Sequence, residues 1–448
     1  MRSALVRLVR FVVGLFYRRI EVSGLERVAR EGPVLFVANH NNGLVDPMVV
    51  LYALGRPVVF VAKATLWKIP VLRLILDLLG CVPVVRKGEE EREISLKGEE
   101  RNRDSFGRLA SVLDKEGCVL IFPEGRSHSD PRLSPMRTGA ARVILLSRKS
   151  PVVLPVGLWF TKKEEFRSDV LLRVGPPVPP PAEATVEEWT DAIGAALEAV
   201  TVNADDWKDH EVAAAVDALY GKKIGRDFFE GEEEEGQLGR SLRVRQVLLA
   251  ARRDLERLHP GEVTSLARRT LALNHLLSRI SLSFSSLDSP PPASTILWHT
   301  LKALAVIALG FPVTVLGVAA WWVPYRLCGV VANRVPGAAK ERDQIALYKL
   351  LAGAVLFPLF FALETAVVWA AASPLWSAVA FACLPFAGIS SLYFFEYATW
   401  RERQAKELLA LLVSPSAIAR LRTERNELVA ECDRLAGVFS VLSDNPRT

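Results

Sequence analysis

The stretch NHNNGLVDP (Asn39 to Pro47) puts His40 six residues before Asp46, between an apolar β-branched run and a helix opened by Pro47. An imidazole with a carboxylate beside it is a general base held in one tautomer, able to take a proton from a hydroxyl. Three more polar blocks close apolar runs: GCVPVVRKG with Arg86, IFPEGRSHSDP with Glu124 and Gly125, and VVLPVGLWF. Guanidinium groups fork onto phosphate, and a glycine such as Gly125 lets backbone approach a ligand closely. The plainer reading makes His40 a satisfied surface histidine and Asp46 a helix cap.

Such blocks need a scaffold to aim them. PVLFVA, PVVFVA, CVPVV, CVLIFP and VVLPVGLWF read as buried strands, with helices near 71–79, 104–115 and 139–148 between several of them. The class this predicts is α/β, a largely covered sheet within residues 32–185, closed by GPPVPPPAEA. Open α/β sheets carry their sites at the carboxyl ends of strands, where these polar blocks fall.

The remainder of the 448 residues differs in kind, because the apolar excess sits between Ile296 and Tyr397. Residues 1–31 read as an amphipathic, membrane-associated segment: Leu5, Leu8, Val9, Val12, Leu15 and Phe16 recur at helical spacing among arginines. The same periodicity suits a helix packed on the protein's own core. Residues 186–295 read as a polar helical extension, with EGEEEEG (Glu230 to Gly236) as a solvated loop and DSPPPAS (Asp288 to Ser294) as a linker. Within 296–397, Leu350–Ala372 and Leu375–Phe395 are long enough to span a bilayer. Basic residues on both flanks make that pair a hairpin with its ends on the cytoplasmic face. Ala303–Val323, interrupted by Gly310 and Pro312, either spans or dips and returns, and parity with a cytoplasmic α/β part favours the dip. Residues 398–448 carry Leu421, Leu428, Leu435 and Leu442 seven apart, a pattern for a coiled-coil homodimer or for a helix docked on the same chain.

The net charge of +6 suits anionic lipid head groups or phosphorylated substrates, and no nucleic-acid-binding signature accompanies it. Five scattered cysteines without a CxxC pair predict free thiols, neither a zinc cluster nor a disulfide framework.

In this order, NHNNGLVDP, VPVVR, FPEG and LPVG resemble the four sequence blocks of the glycerolipid (phosphate) acyltransferase family, and AKATLWKIPVLRLILDLLG between the first two is similar as well. PEGRSH, followed by Pro135-Met136-Arg137-Thr138-Gly139-Ala140-Ala141, looks most like the branch that acylates glycerol-3-phosphate or dihydroxyacetone phosphate. The resemblance in the blocks runs from Gly32 to Pro177. It implies a mixed acyltransferase-type sheet, an acyl-CoA or acyl-carrier-protein donor, and no other cofactor. It implies that His40 deprotonates the acceptor hydroxyl while Asp46 holds the imidazole, with no acyl-enzyme. Arg86 would bind the acceptor's phosphate, and the Glu124–Gly125 corner would contact its glycerol part. Arg126, Ser127, Arg137 and Lys63 are further candidates for that pocket. The family's usual form has four residues between histidine and aspartate; here five intervene, Asn41 to Val45, and Gly43 is the place to absorb the extra one.

The activity so implied is acyl transfer at a membrane to the sn-1 hydroxyl of glycerol-3-phosphate or to dihydroxyacetone phosphate, with 1-acylglycerol-3-phosphate as the alternative acceptor. A hydrolase would want a G-x-S-x-G elbow, which the sequence lacks, and a metal site has no obvious third ligand beside His40 and Asp46. An inactive membrane scaffold is the reading from another class. His40, Asp46, Arg86 and Glu124 standing together speak against it.

Overall fold

The computed structural model describes residues 2–68, 70–84, 94–229, 236–287, 293–334, 345–413 and 415–444. The chain divides into two compact units: Met1–Asp206 with Glu233–Gln246 and Pro336–Leu347, then Trp207–Glu232 with Val247–Val335 and Tyr348–Thr448.

The first unit holds seven strands: β1 (Arg19–Ser23), β2 (Val34–Ala38), β3 (Val58–Lys63), β4 (Val82–Val84), β5 (Cys118–Ile121), β6 (Val152–Phe160) and β7 (Asp169–Val174). They lie in the order β1-β7-β6-β2-β5-β3-β4. Every pairing is parallel except β6 with β7, so the sheet is mixed. β2 is the central strand, and all five of its residues are buried. A strand covered on both faces has no solvent side to alternate toward, which is why VLFVA is apolar throughout.

On one face Leu35, Val37, Val119 and Val153 form a single core with α4 (Ile94–Asp114), α5 (Gly139–Leu146) and α6 (Val186–Val200). Truncating a residue as buried as Leu113 to Ala would cost about 2–5 kcal/mol. α1 (Arg2–Phe16) packs on α2 (Val45–Ala53) through Val9, Val13 and Phe16. The Arg10 guanidinium donates to the carbonyls of Leu51 and Leu54 at 3.2 and 2.9 Å, satisfying acceptors at the α2 terminus that have no helical partner. In α3 (Pro70–Leu79), Leu72, Leu76 and Leu79 are buried, so that face serves packing.

Two boundaries move relative to the sequence reading. The 1–31 segment is not separate, because β1 pairs in register with β7 from Arg19↔Asp169 to Ser23↔Arg173. Nor does the α/β core stop at residue 185: Thr185 caps α6, accepting from the Glu188 amide at 3.2 Å, and α6 buries Trp189, Ile193, Leu197 and Val200. The helical extension then divides at Asp206. The start of α8 (Gln237–Leu258) belongs to the first unit, where the Glu21 carboxylate accepts from the amides of Leu238 and Gly239 at 3.1 and 2.7 Å. That is a favourable anion position at a helix N-terminus.

The second unit is helical, with α7 (Trp207–Phe229), the rest of α8, α9 (Pro260–Arg279) and α13 (Pro415–Asp444) packed together. It also contains α10 (Ala293–Arg334), the greater part of α11 (Ile345–Ala371), and α12 (Pro374–Val413). Within these, Leu301–Arg334, Ile345–Ala371 and Pro374–Leu411 are long and apolar enough to cross a membrane. Ala303–Val323 lies within α10, one helix with Pro312 and Pro324 inside it. Of the heptad leucines of α13, Leu428 and Leu435 are buried against this chain's own helices. All five cysteines are unpaired.

Candidate active site

β2, β3, β5 and β6 run parallel, so their carboxyl ends share one edge of the sheet. There β2 delivers Asn39 and His40, β5 delivers Phe122 to Gly125, and β3 ends on Lys63. The Asn39 side chain fastens this corner by pairing with the Leu158 backbone in both directions, accepting at 2.7 Å and donating at 3.0 Å. A buried amide satisfied on both sides fixes where β2 stops relative to β6.

His40 Nδ1 lies 2.9 Å from Asp46 Oδ2. That same oxygen accepts the backbone amides of Asn41 and Asn42 at 2.9 and 2.8 Å, and Asp46 is fully buried in the first turn of α2. Three donors converge on one carboxylate oxygen, each a charge-assisted bond worth about 1.5–3 kcal/mol net. The ring also stacks on Phe122 with centroids 4.2 Å apart and planes 19° from parallel. With Nδ1 committed to the carboxylate, Nε2 is left as the proton acceptor, on a side chain 13% exposed.

The five-residue interval closes because Gly43 takes φ +52, a left-handed conformation that L side chains resist. Its amide donates to Ser127 Oγ at 2.9 Å, tying the loop after β2 to the loop after β5. Asn42 extends the support, its amide nitrogen donating to the Tyr17 hydroxyl at 3.1 Å. Burial pushes the Tyr17 phenol well above its ordinary range, and the Asp46 charge adds to the shift. Tyr17 is thus a neutral prop beneath the site.

Glu124 is held by three donors. It is buried, and its oxygens face inward: Oε1 accepts the His40 amide at 2.7 Å, while Oε2 accepts the Ser134 amide at 2.7 Å and the His128 Nε2 proton. His128 Nδ1 accepts the Asp130 amide at 3.1 Å, which assigns its single proton to Nε2, and its own amide donates to the His40 carbonyl at 3.1 Å. Glu124 and His128 therefore tie His40 to the 126–134 loop. Gly125, at φ +71, turns the chain where a Cβ would stand 3.1 Å from Arg137 Cγ.

The basic candidates are placed less uniformly. Arg137 folds against Gly125 and is exposed. Arg126, also exposed, pairs with Asp130 at 3.2 Å. Lys63 is partly buried at the end of its strand. Arg86 lies outside the described residues. Three participants escape a motif reading. Tyr17 and Phe122 support the base, and the Lys163 ammonium donates to the Asn41 carbonyl at 2.7 Å and Ser129 Oγ at 2.6 Å. Only the FP step before Glu124 hinted at Phe122. Nothing local marks Tyr17 or Lys163.

Residues 19–159 match the family model for Acyltransferase. This stretch of the chain is similar to the acyltransferase family. A chloroplastic 1-acyl-sn-glycerol-3-phosphate acyltransferase of Arabidopsis thaliana is 29% identical over 149 residues, which is 33% of this chain and 38% of that protein. Glycerol-3-phosphate O-acyltransferase 2 of Saccharomyces cerevisiae is 33% identical over 135 residues, 27% of this chain and 18% of that protein. This chain thus spans less than two fifths of the length of either relative. A solved structure of PlsC, the 1-acyl-sn-glycerophosphate acyltransferase of Thermotoga maritima, aligns at TM-score 0.34 and 18% identity over 44% of this chain and 79% of that one, a likeness too distant to carry any residue across.

Proposed function

We propose that the protein is a membrane-bound acyltransferase that moves a fatty acyl chain from a thioester carrier to the sn-1 hydroxyl of glycerol-3-phosphate or to dihydroxyacetone phosphate. One observation carries the reading: a buried carboxylate with three donors fixes His40 Nδ1 and leaves Nε2 as the acceptor at the carboxyl edge of the sheet. In the reaction, Nε2 takes the acceptor's hydroxyl proton as that oxygen attacks the thioester carbonyl. The tetrahedral adduct collapses with breakage of the C–S bond, and the departing thiolate receives the proton from the imidazolium. Asp46 stabilises the imidazolium in between, so no enzyme nucleophile is required. Ser127 fits this division of labour, its hydroxyl accepting the Gly43 amide.

Arg86 is the cation we assign to the acceptor's phosphate, with Arg126, Arg137 and Lys63 as further candidates. Relatives named for both acceptors support the glycerolipid class and divide on the acceptor. The PEGRSH block favours the unacylated one. A membrane setting suits the chemistry, because the acyl chain and product partition into lipid and the acceptor's phosphate does not.

The test is an acceptor panel of glycerol-3-phosphate, dihydroxyacetone phosphate and lysophosphatidic acid, each offered with coenzyme A and carrier-protein donors to membranes containing the full chain. Transfer to either unacylated acceptor, reduced about 10²- to 10⁴-fold by Asp46→Asn, is the expected result. Transfer to lysophosphatidic acid alone would make it the sn-2 enzyme. No transfer from any donor would leave the inactive scaffold.

A further inference from the structure

The segment TKKEEFRS (Thr161 to Ser168) joins β6 to β7 and sets two lysines side by side. Adjacent side chains on a backbone leaving a strand point apart, and this pair divides accordingly. Lys162 is exposed and bridges Glu165 at 3.0 Å in solvent, an arrangement that stabilises little. Lys163 turns inward. Its ammonium donates to the Asn41 carbonyl at 2.7 Å and to Ser129 Oγ at 2.6 Å, and its own carbonyl accepts from Asn42 Nδ2 at 3.3 Å. The loop that carries it is fastened to the end of α1. The Arg167 amide donates to the Phe16 carbonyl at 2.7 Å, the Arg18 amide to the Ser168 carbonyl at 2.9 Å, and the Phe166 ring stands edge-on to Phe16 at 5.6 Å. A held loop aims the ammonium.

What the ammonium grips gives it a role. The Asn41 carbonyl and the Asn42 N–H are the two ends of one planar peptide group. That N–H donates to Asp46 Oδ2 at 2.8 Å, and the same oxygen lies 2.9 Å from His40 Nδ1. A positive charge on the carbonyl end draws electron density toward the oxygen and makes the N–H a stronger donor. Bonds linked in such a chain strengthen one another by about 10–30% each. The line runs from ammonium to peptide to carboxylate to imidazole. At the second contact, Ser129 lies between His128, which donates to Glu124, and Asp130, whose amide donates to His128. One side chain from a third loop therefore grips both loops that frame His40.

We propose that Lys163 is a positioning residue for the base: through the Asn41–Asn42 peptide it holds Asp46 on His40 Nδ1, and through Ser129 it fixes the loop that supports the His40 backbone. The inference rests on His40 being the base of the transfer proposed above. Because both contacts are made to the protein's own loops, the residue governs turnover and leaves acceptor binding alone.

Kinetics on membranes containing the full chain, with thermal unfolding read on every variant in detergent, test this. Lys163→Met keeps the stem and removes the ammonium. It should lower kcat about 10- to 100-fold while KM for acceptor and donor stays within about two-fold. Lys162→Met, one residue away, should leave both unchanged. Lys163→Arg keeps a cation with donors for the same carbonyl and should recover most of the lost kcat; a loss equal to that of Lys163→Met would take the role away from the charge. The sharpest measurement combines Lys163→Met with Asp46→Asn. If the lysine works through Asp46, the double variant should be no more than about three-fold slower than Asp46→Asn alone, because that route is already cut. Multiplied losses would place the action of Lys163 elsewhere and overturn the proposal. A raised KM for the acceptor with kcat held would also overturn it, making Lys163 a phosphate ligand. Lys163→Gln, which keeps polar donors, replaces Lys163→Met in the cycle if the latter fails to fold. Wild-type membranes without transfer from any donor would overturn the functional reading and this inference with it, whereas wild-type transfer that Lys163→Met leaves untouched would overturn this inference alone.

Discussion

Two histidine–carboxylate pairs, His40 with Asp46 and His128 with Glu124, sit at the same edge of the sheet and are joined directly, yet they are put to opposite uses. In the first, the carboxylate engages one ring nitrogen and the other is left to accept a proton. In the second, both nitrogens are occupied, one by Glu124 and one by the Asp130 amide, so the ring has no proton site to offer. Residue type does not separate them. Sequestration does: the carboxylates are fully buried in both, but among the described residues only the first imidazole keeps an unengaged nitrogen, in a partly exposed ring. One pair can do chemistry, and the other sets the position from which it is done.

The largest effect that tests this contrast comes from the histidines themselves. His40→Ala should lower kcat for acyl transfer about 10²- to 10⁴-fold, the usual worth of a general base, and should also lower the unfolding midpoint, because it removes one of the three donors to the buried Asp46 carboxylate. His128→Ala should differ in turnover. It strands part of a buried carboxylate at about 1–3 kcal/mol, lowering the midpoint and costing less turnover. Parallel kinetics and thermal unfolding decide it, and equal losses of kcat would make the second pair catalytic.

A smaller but sharper effect is expected from Glu124→Gln. Glutamine has one acceptor oxygen where the site presents donors to both, so an NH₂ must face an N–H. Stability should fall by about 1–3 kcal/mol and kcat should fall with it, while KM for the phosphate acceptor holds. A raised KM with stability intact would support the glycerol contact that the family resemblance implied. The mildest change is Ser127→Ala, which removes the acceptor for the Gly43 amide alone. About 1 kcal/mol and a few-fold loss of kcat are expected, since the other bonds to the loop persist. Complete loss of transfer would mean that Ser127 has a part in the chemistry.

Much of the scaffold was legible in advance. Five of the seven strands announce themselves as apolar β-branched runs, because a strand buried on both faces writes its environment into its own residues. β1 and β7 did not. RIEVS and DVLLRV mix charge with apolar residues, and each becomes a strand through partners about 150 residues away or across a loop. The 1–31 segment looked detachable for the same reason. α13 shows the limit from another side: its heptad is compatible with a second copy or with the chain's own helices, and only the tertiary structure shows Leu428 and Leu435 buried within the chain.

The sequence by itself determined the chemistry available, namely one imidazole and one carboxylate at a strand-to-helix corner, glycines where the backbone must turn left-handed, and cations at neighbouring strand ends. Those are properties of residue type and local spacing, fixed once the chain is written. The tertiary structure alone decided direction: that Asp46 points at His40, that Glu124 turns inward to hold it, and that Tyr17 lies beneath both. Direction depends on which distant groups arrive at the same place, and no local period records that.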